Sequence, residues 1–191
     1  MNNIKSDLRS HYLKLRSKFT SQQIDNFSIE IVNRCLDLNL WDKSIYHLFM
    51  ASEQNNEIDT ALLLSVLQGK DKQAVIPKIL DGYELEHYLL ADQTPLKMNR
   101  WGIPEPKSGI KINPHQIDVV FVPLIIFDLK GHRIGYGKGY YDRFLSKCRK
   151  ETIKVGLSYF DPIEKIEDVQ PHDIPINFGI TRDRIYEFSN A

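Results

Sequence analysis

The residues best able to do chemistry lie together in Asp128-Leu129-Lys130-Gly131-His132-Arg133-Ile134-Gly135-Tyr136-Gly137-Lys138-Gly139-Tyr140-Tyr141-Asp142. Gly135, Gly137 and Gly139 alternate with larger side chains. Without Cβ atoms, backbone here can approach a ligand closely and turn its N–H groups toward an anion. A helix expected from about Tyr140 adds unpaired N–H groups and the positive end of its dipole. Arg133 and Lys138 supply cationic charge for phosphate oxygens. The spacing is not GxxxxGK(S/T), and Tyr140 takes the place of the third glycine in GxGxxG, so neither common nucleotide fingerprint is present. A solvated turn would also use glycines. The two cations, the apolar run before them and the helix after them favour a phosphate cradle.

Other candidates are scattered along the chain, each with a bland alternative. Asp142 complements the helix dipole from the first turn. Beside a nucleotide phosphate the same carboxylate would suit a hydrated magnesium ion. Asp173, in Pro171-His172-Asp173-Ile174-Pro175, is a second such acid or else a turn residue. Lys5 and Arg9 are cations one helical turn apart, a spacing that on most helices simply faces water. Trp101 stands among prolines in Arg100-Trp101-Gly102-Ile103-Pro104-Glu105-Pro106, where it can stack on a planar heterocycle or plug the core edge. Glu57 precedes a predicted helix, where an acid is favourable in any case. The six histidines show no HxxxH or HExxH pattern, which leaves a zinc site unsupported.

Elements that would position these residues can be read from periodicity. Ile4, Leu8, Tyr12, Leu15 and Phe19 form one apolar helical stripe. Thr20 with Gln23 is a capping-box signature for a second helix, whose buried face is Ile24, Phe27, Ile31, Cys35 and Leu38. Ile45 to Met50 reads as a strand and Asp59 to Leu67 as a short helix. Ala74 to Leu80 and Tyr83 to Leu90 read as strands joined by a two-residue Asp81-Gly82 turn. Residues 91–116, broken by Pro95, Pro104, Pro106 and Pro114, read as irregular. Asp118 to Phe127 is a nearly unbroken apolar run, as in a central strand covered on both faces, with Pro123 ending or bending it. A helix over Tyr140 to Cys148, a strand over Ile153 to Tyr159 and a last strand over Ile180 to Phe188 follow. Strands interleaved with helices predict an α/β fold, a three-layer α/β/α sandwich with a mainly parallel sheet.

Composition narrows the function classes. The chain has 191 residues, with 25 basic and 25 acidic side chains that cancel, 42% apolar and 26% charged types. These values are ordinary for a globular chain and point to one domain over residues 1–191. They argue against intrinsic disorder and against a protein that coats nucleic acid. No apolar run is long enough for a bilayer span, and no apolar signal core opens the sequence. Cys35 and Cys148, without CxxC spacing, read as reduced thiols of a cytosolic protein. A monomer fits this size and charge.

Taken together, these motifs resemble the 5-formyltetrahydrofolate cyclo-ligase (5,10-methenyltetrahydrofolate synthetase) family across nearly the whole chain. The resemblance rests on Val122-Pro123, Phe127-Asp128, Gly131 and Arg133 to Asp142. Supporting pieces are Lys5 with Leu8-Arg9, Glu57-Ile58-Asp59-Thr60, Trp101 to Pro106, and His172-Asp173. It implies an ATP- and magnesium-dependent cyclisation of 5-formyltetrahydrofolate, with or without a polyglutamate tail. ADP and phosphate are released through an imidate phosphate.

The resemblance also implies roles. Lys5, Arg9, Arg133, Ile134, Gly135, Tyr136, Gly137, Lys138, Gly139, Tyr140 and Tyr141 would bind the nucleotide. Lys138, Arg133 and Tyr140 would act on the reacting groups. Met50, Glu57, Trp101 and the stretch Tyr136 to Tyr140 would contact the folate, and Asp142 and Asp173 would hold magnesium. The chain departs from some relatives in carrying Tyr136 where they have arginine, and in lacking a glutamine within Ser158-Tyr159-Phe160-Asp161.

Two other readings remain. A sugar-phosphate isomerase or CoA-transferase-like enzyme would need no ATP and would leave the paired acids unexplained. A phosphate- or RNA-binding module would draw on Lys130 to Lys150, with seven Lys or Arg and one acid. Much of that charge falls at a helix C-terminus, where cations are favourable anyway, and no nucleic-acid partner is expected.

Overall fold

A computed structural model describes residues 3–188. Helix α1 (Lys5–Arg16) is followed by α2 (Ser21–Cys35). The capping box opens α2 as expected, with Thr20 accepting from the Gln23 N–H and Gln23 accepting from the Thr20 N–H. The next elements are β1 (Ile45–His47), α3 (Ala61–Gly69), β2 (Gln73–Ile79), β3 (Leu85–Leu89), β4 (Leu96–Met98) and β5 (Pro104–Pro106). After them come β6 (Val119–Pro123), β7 (Ile126–Phe127), β8 (Arg133–Ile134), α4 (Tyr140–Leu145), β9 (Ile153–Leu157), β10 (Phe178–Ile180) and β11 (Ile185–Glu187).

Seven strands form one sheet in the order β11-β10-β9-β6-β1-β2-β3. The interior pairings are parallel, and the edge strands β11 and β3 run antiparallel to their neighbours. Side chains along β6 alternate between two buried layers. Val119 and Phe121 join the core under α2 and α3, while Val120 and Val122 join the core under α4. That double burial is why the run lacks polar residues. Helix α1 lies apart, with Leu8 packed on Ile126, Ile134 and Ile166. The architecture is the expected α/β sandwich with a mainly parallel sheet.

Several boundaries differ from the sequence reading. The β2–β3 hairpin closes over three residues, Asp81–Tyr83, because Gly82 and Tyr83 both take left-handed backbone angles. Residues 91–116 are less irregular than expected: β4 and β5 pair antiparallel, with the prolines confined to an edge and to turns. The apolar run over 118–127 breaks after Pro123, and β7 leaves the sheet to pair with β8. The last predicted strand is two, β10 and β11, and α4 ends at Leu145 rather than Cys148. Apolar periodicity marks burial, whereas the breaks are set by which strand edge is available for pairing.

Candidate active site

Parallel strands of this topology leave a crevice at their carboxyl ends. Here that crevice is a cleft of about 1260 Å³. Its floor comes from residues at or just beyond the ends of β1, β2 and β6, namely Phe49, Met50, Pro77, Ile79 and Pro123. All sixteen residues singled out in the sequence line it: Lys5, Arg9, Met50, Glu57, Trp101, the nine consecutive residues Arg133 to Tyr141, Asp142 and Asp173.

The glycine stretch forms one wall. Gly137 and Gly139 have φ of +83° and +71°, the left-handed region that only glycine enters at little cost. Among the described residues, the N–H groups of Gly137, Lys138 and Gly139 have no hydrogen-bond partner. Arg9 braces this wall from α1: its Nε donates to the Gly135 carbonyl at 2.7 Å. A Cβ at Gly137 would stand 3.1 Å from the Arg9 guanidinium carbon. Helix α4 has only six residues, so its dipole is short and the loop amides dominate the local field.

Lys138 is exposed, and its ammonium lies 5.8 Å from the centre of the Tyr83 ring. Tyr83 sits at the tip of the β2–β3 hairpin and also meets Arg143 and the edge of Tyr140. Arg133, by contrast, is buried. Its Nη2 donates to Asp142 Oδ1 at 2.8 Å, and its Nη1 donates to the Ile174 carbonyl. Burial pulls the Arg133 pKa down, and the Asp142 charge opposes that pull.

Each of the two acids meets a base. Asp142 Oδ1 also accepts from the Ile174 N–H at 3.1 Å, and Asp173 Oδ2 accepts from Lys5 Nζ and the Gln170 N–H. Burial works to raise the Asp173 pKa, but the Lys5 and Gln170 bonds outweigh it and the net shift is downward. Among the described residues, no group of three or more His, Cys, Asp or Glu side chains converges on one point. Magnesium commonly takes one or two protein carboxylates and completes its shell with water and phosphate oxygens. Asp142 and Asp173 share the cleft with one oxygen each outside these bonds, a donor set that fits such an ion.

Glu57 also lines the cleft. Its Oε2 accepts from the Ser52 N–H at 2.7 Å and its Oε1 from the Tyr136 hydroxyl at 2.6 Å. Burial raises the Glu57 pKa, and the Tyr136 and Ser52 bonds and the Arg16 charge hold the rise back. Tyr136 is pushed up as well, by burial first and by Glu57 second. Trp101 is 36% exposed with the Arg100 guanidinium 4.1 Å above its ring, which excludes the core-plug alternative.

The sequence reading missed Tyr83 and Arg16. Tyr83 gave no signal beyond its place beside a turn. Arg16 had one: Lys5, Arg9 and Arg16, four and seven residues apart, fall within about 40° on an ideal helix.

Known proteins resemble this chain along most of its length. The pattern of the 5-formyltetrahydrofolate cyclo-ligase family matches residues 1–181. A 5-formyltetrahydrofolate cyclo-ligase of Haemophilus influenzae is 29% identical over 181 residues, 90% of this chain and 94% of that one. A probable 5-formyltetrahydrofolate cyclo-ligase of Schizosaccharomyces pombe is 32% identical over 166 residues, 80% and 81% of the two chains. The solution structure of Aquifex aeolicus 5,10-methenyltetrahydrofolate synthetase superposes with a TM-score of 0.83 at 28% identity, covering 98% of this chain and 94% of that one. With the family pattern spanning nearly the whole length, the chain belongs to the 5-formyltetrahydrofolate cyclo-ligase family.

Proposed function

We propose that the protein converts 5-formyltetrahydrofolate to 5,10-methenyltetrahydrofolate with cleavage of ATP to ADP and phosphate. One observation carries this reading: the amides of Gly137 to Gly139, unpartnered among the described residues, line with Arg9 and Lys138 the same cleft as the Glu57 carboxylate. An anion cradle and an acceptor for a reduced pterin's N–H edge within one crevice suit a reaction that joins a triphosphate to a folate.

The formyl oxygen attacks the γ-phosphorus of ATP, the bond to ADP breaks, and an imidate phosphate forms. The 10-nitrogen then attacks the activated carbon and loses its proton, and phosphate leaves. An amide oxygen leaves poorly, and its phosphorylation removes that obstacle. The protein's part is alignment and charge neutralisation. Loop amides and Lys138 hold phosphate oxygens, with Arg9 and Lys5 from α1 alongside. Glu57 orients the pterin, and Trp101, Tyr140 and Met50 offer apolar and aromatic surface against it. Arg133 acts from behind, holding Asp142 at the cleft edge. Asp142 and Asp173 would hold a magnesium ion, which would neutralise phosphate charge.

The test is formation of the methenyl chromophore from 5-formyltetrahydrofolate with Mg·ATP. Stoichiometric ADP release is expected. A folded protein that makes no product above the uncatalysed rate would refute the assignment.

A further inference from the structure

Arg16 closes helix α1 and is 3% exposed. No carboxylate pairs with it directly among the described residues, and its Nε has no hydrogen-bond partner. A buried cation left so incompletely matched is costly unless an opposite charge lies close by. The charge available is Glu57, one hydroxyl group away. Arg16 Nη2 donates to the Tyr136 hydroxyl, Tyr136 donates to Glu57 Oε1 at 2.6 Å, and the Ser52 N–H fixes Oε2 at 2.7 Å. The Asn56 side chain, next to Glu57, donates to the Arg16 carbonyl at 3.1 Å and ties the end of α1 to the Glu57 segment.

We propose that Arg16 is a positioning residue for substrate binding: acting through the Tyr136 hydroxyl, it holds Glu57 as a charged, acceptor-only carboxylate aimed at the folate. The inference rests on the reading of Glu57 as the folate-binding acid. Arg16 itself touches no substrate.

The physical argument concerns which protonation state Glu57 keeps. Burial disfavours its charge. The titratable groups around it are Arg16 from α1, Tyr136 from the glycine stretch, Tyr141 from α4 and Tyr159 beyond β9. Three of these are phenols and one is a cation. Among the described residues neither the Tyr141 nor the Tyr159 hydroxyl donates to Glu57, and the hydroxyl interaction that Tyr159 has is with Ser28. Among these groups Arg16 is the one whose loss removes positive charge from this carboxylate. Without it the raised Glu57 pKa rises further. A larger neutral fraction then presents an O–H where the pterin needs an acceptor. Above the new pKa the carboxylate is restored, so the defect has a pH signature that a merely loosened fold does not.

The test compares wild type, Arg16→Gln and Arg16→Lys. For Arg16→Gln, the KM for 5-formyltetrahydrofolate should rise at pH values below the Glu57 pKa, roughly tenfold for each pKa unit gained, and return toward wild type as pH increases. The KM for ATP should stay unchanged. Arg16→Lys, which keeps the charge, should retain a near-wild-type pH profile. Independently of turnover, the ¹³C resonance of the Glu57 carboxyl, assigned by its loss in Glu57→Gln, should titrate at higher pH in Arg16→Gln. A folate KM that is unchanged, or raised equally at every pH together with that for ATP, overturns the proposal. So does an unmoved Glu57 titration. If wild type itself forms no methenyl product, the functional reading fails, and the carboxyl titration still decides whether Arg16 governs Glu57.

Discussion

His47 and His87 project from β1 and β3 into the layer beneath α4, with ring centres 5.2 Å apart. Phe144 of α4 covers both, at 4.7 Å from His47 and 4.0 Å from His87. Among the described residues neither ring nitrogen of His47 has a hydrogen-bond partner, nor has Nδ1 of His87. Burial lowers the His87 pKa from 6.5 to about 4, with Lys147 adding to the effect and Glu86 opposing it. His47 is held well below the ordinary value by burial and then by His87. Both imidazoles are thus neutral in the fold and protonate more readily in the unfolded chain. Stability from a depressed pKa is present above the unfolded value and is lost as pH falls toward the folded one. At about 1.4 kcal/mol per unit, His87 alone accounts for a loss of ~3 kcal/mol by about pH 4. His47 adds a loss of the same sign. Urea unfolding should therefore show a steep drop in stability below about pH 6.5 in wild type. The drop should be shallower in a His47→Leu/His87→Leu double variant, which keeps every carboxylate. Parallel pH curves for the two proteins would refute the reasoning.

Three substitutions at the cleft separate binding from folding. Lys138→Ala should raise the ATP KM by roughly ten- to a hundredfold, the worth of a charge-assisted hydrogen bond, and leave the melting temperature nearly unchanged because Lys138 is exposed. Unaltered nucleotide kinetics would remove Lys138 from the site. Gly137→Ala should cost about 1–2 kcal/mol for a Cβ at positive φ and push against Arg9, so thermal unfolding should shift down and the ATP KM up. A variant equal to wild type in both would contradict the loop conformation. Asp142→Asn should lower stability by ~3 kcal/mol, since Arg133 would lose its charged partner, and should also weaken the magnesium dependence of turnover. A magnesium titration indistinguishable from wild type would remove Asp142 from the metal site.

Local chemistry was legible in the sequence wherever it depends on spacing along the chain. The α1 stripe, the α2 capping box, the doubly covered β6 and the glycine wall all follow from short-range periodicity, sterics or caps, and each appears near its expected position. That sixteen candidate residues would line one cleft was legible only through their resemblance to a family; spacing alone carried no such information.

Tertiary structure decided how the charges match. Arg133 was expected at the phosphate; it lines the cleft from β8, which pairs with β7 outside the main sheet, and from that largely buried position its side chain pairs with Asp142. Arg16, Tyr136 and Glu57 meet across 120 and 79 residues of sequence, and His47 and His87 meet across the intervening strand β2. Such pairings have no period to betray them. They exist because the sheet order brings distant segments under shared helices, where a buried polar group must take whatever partner the packing leaves within reach.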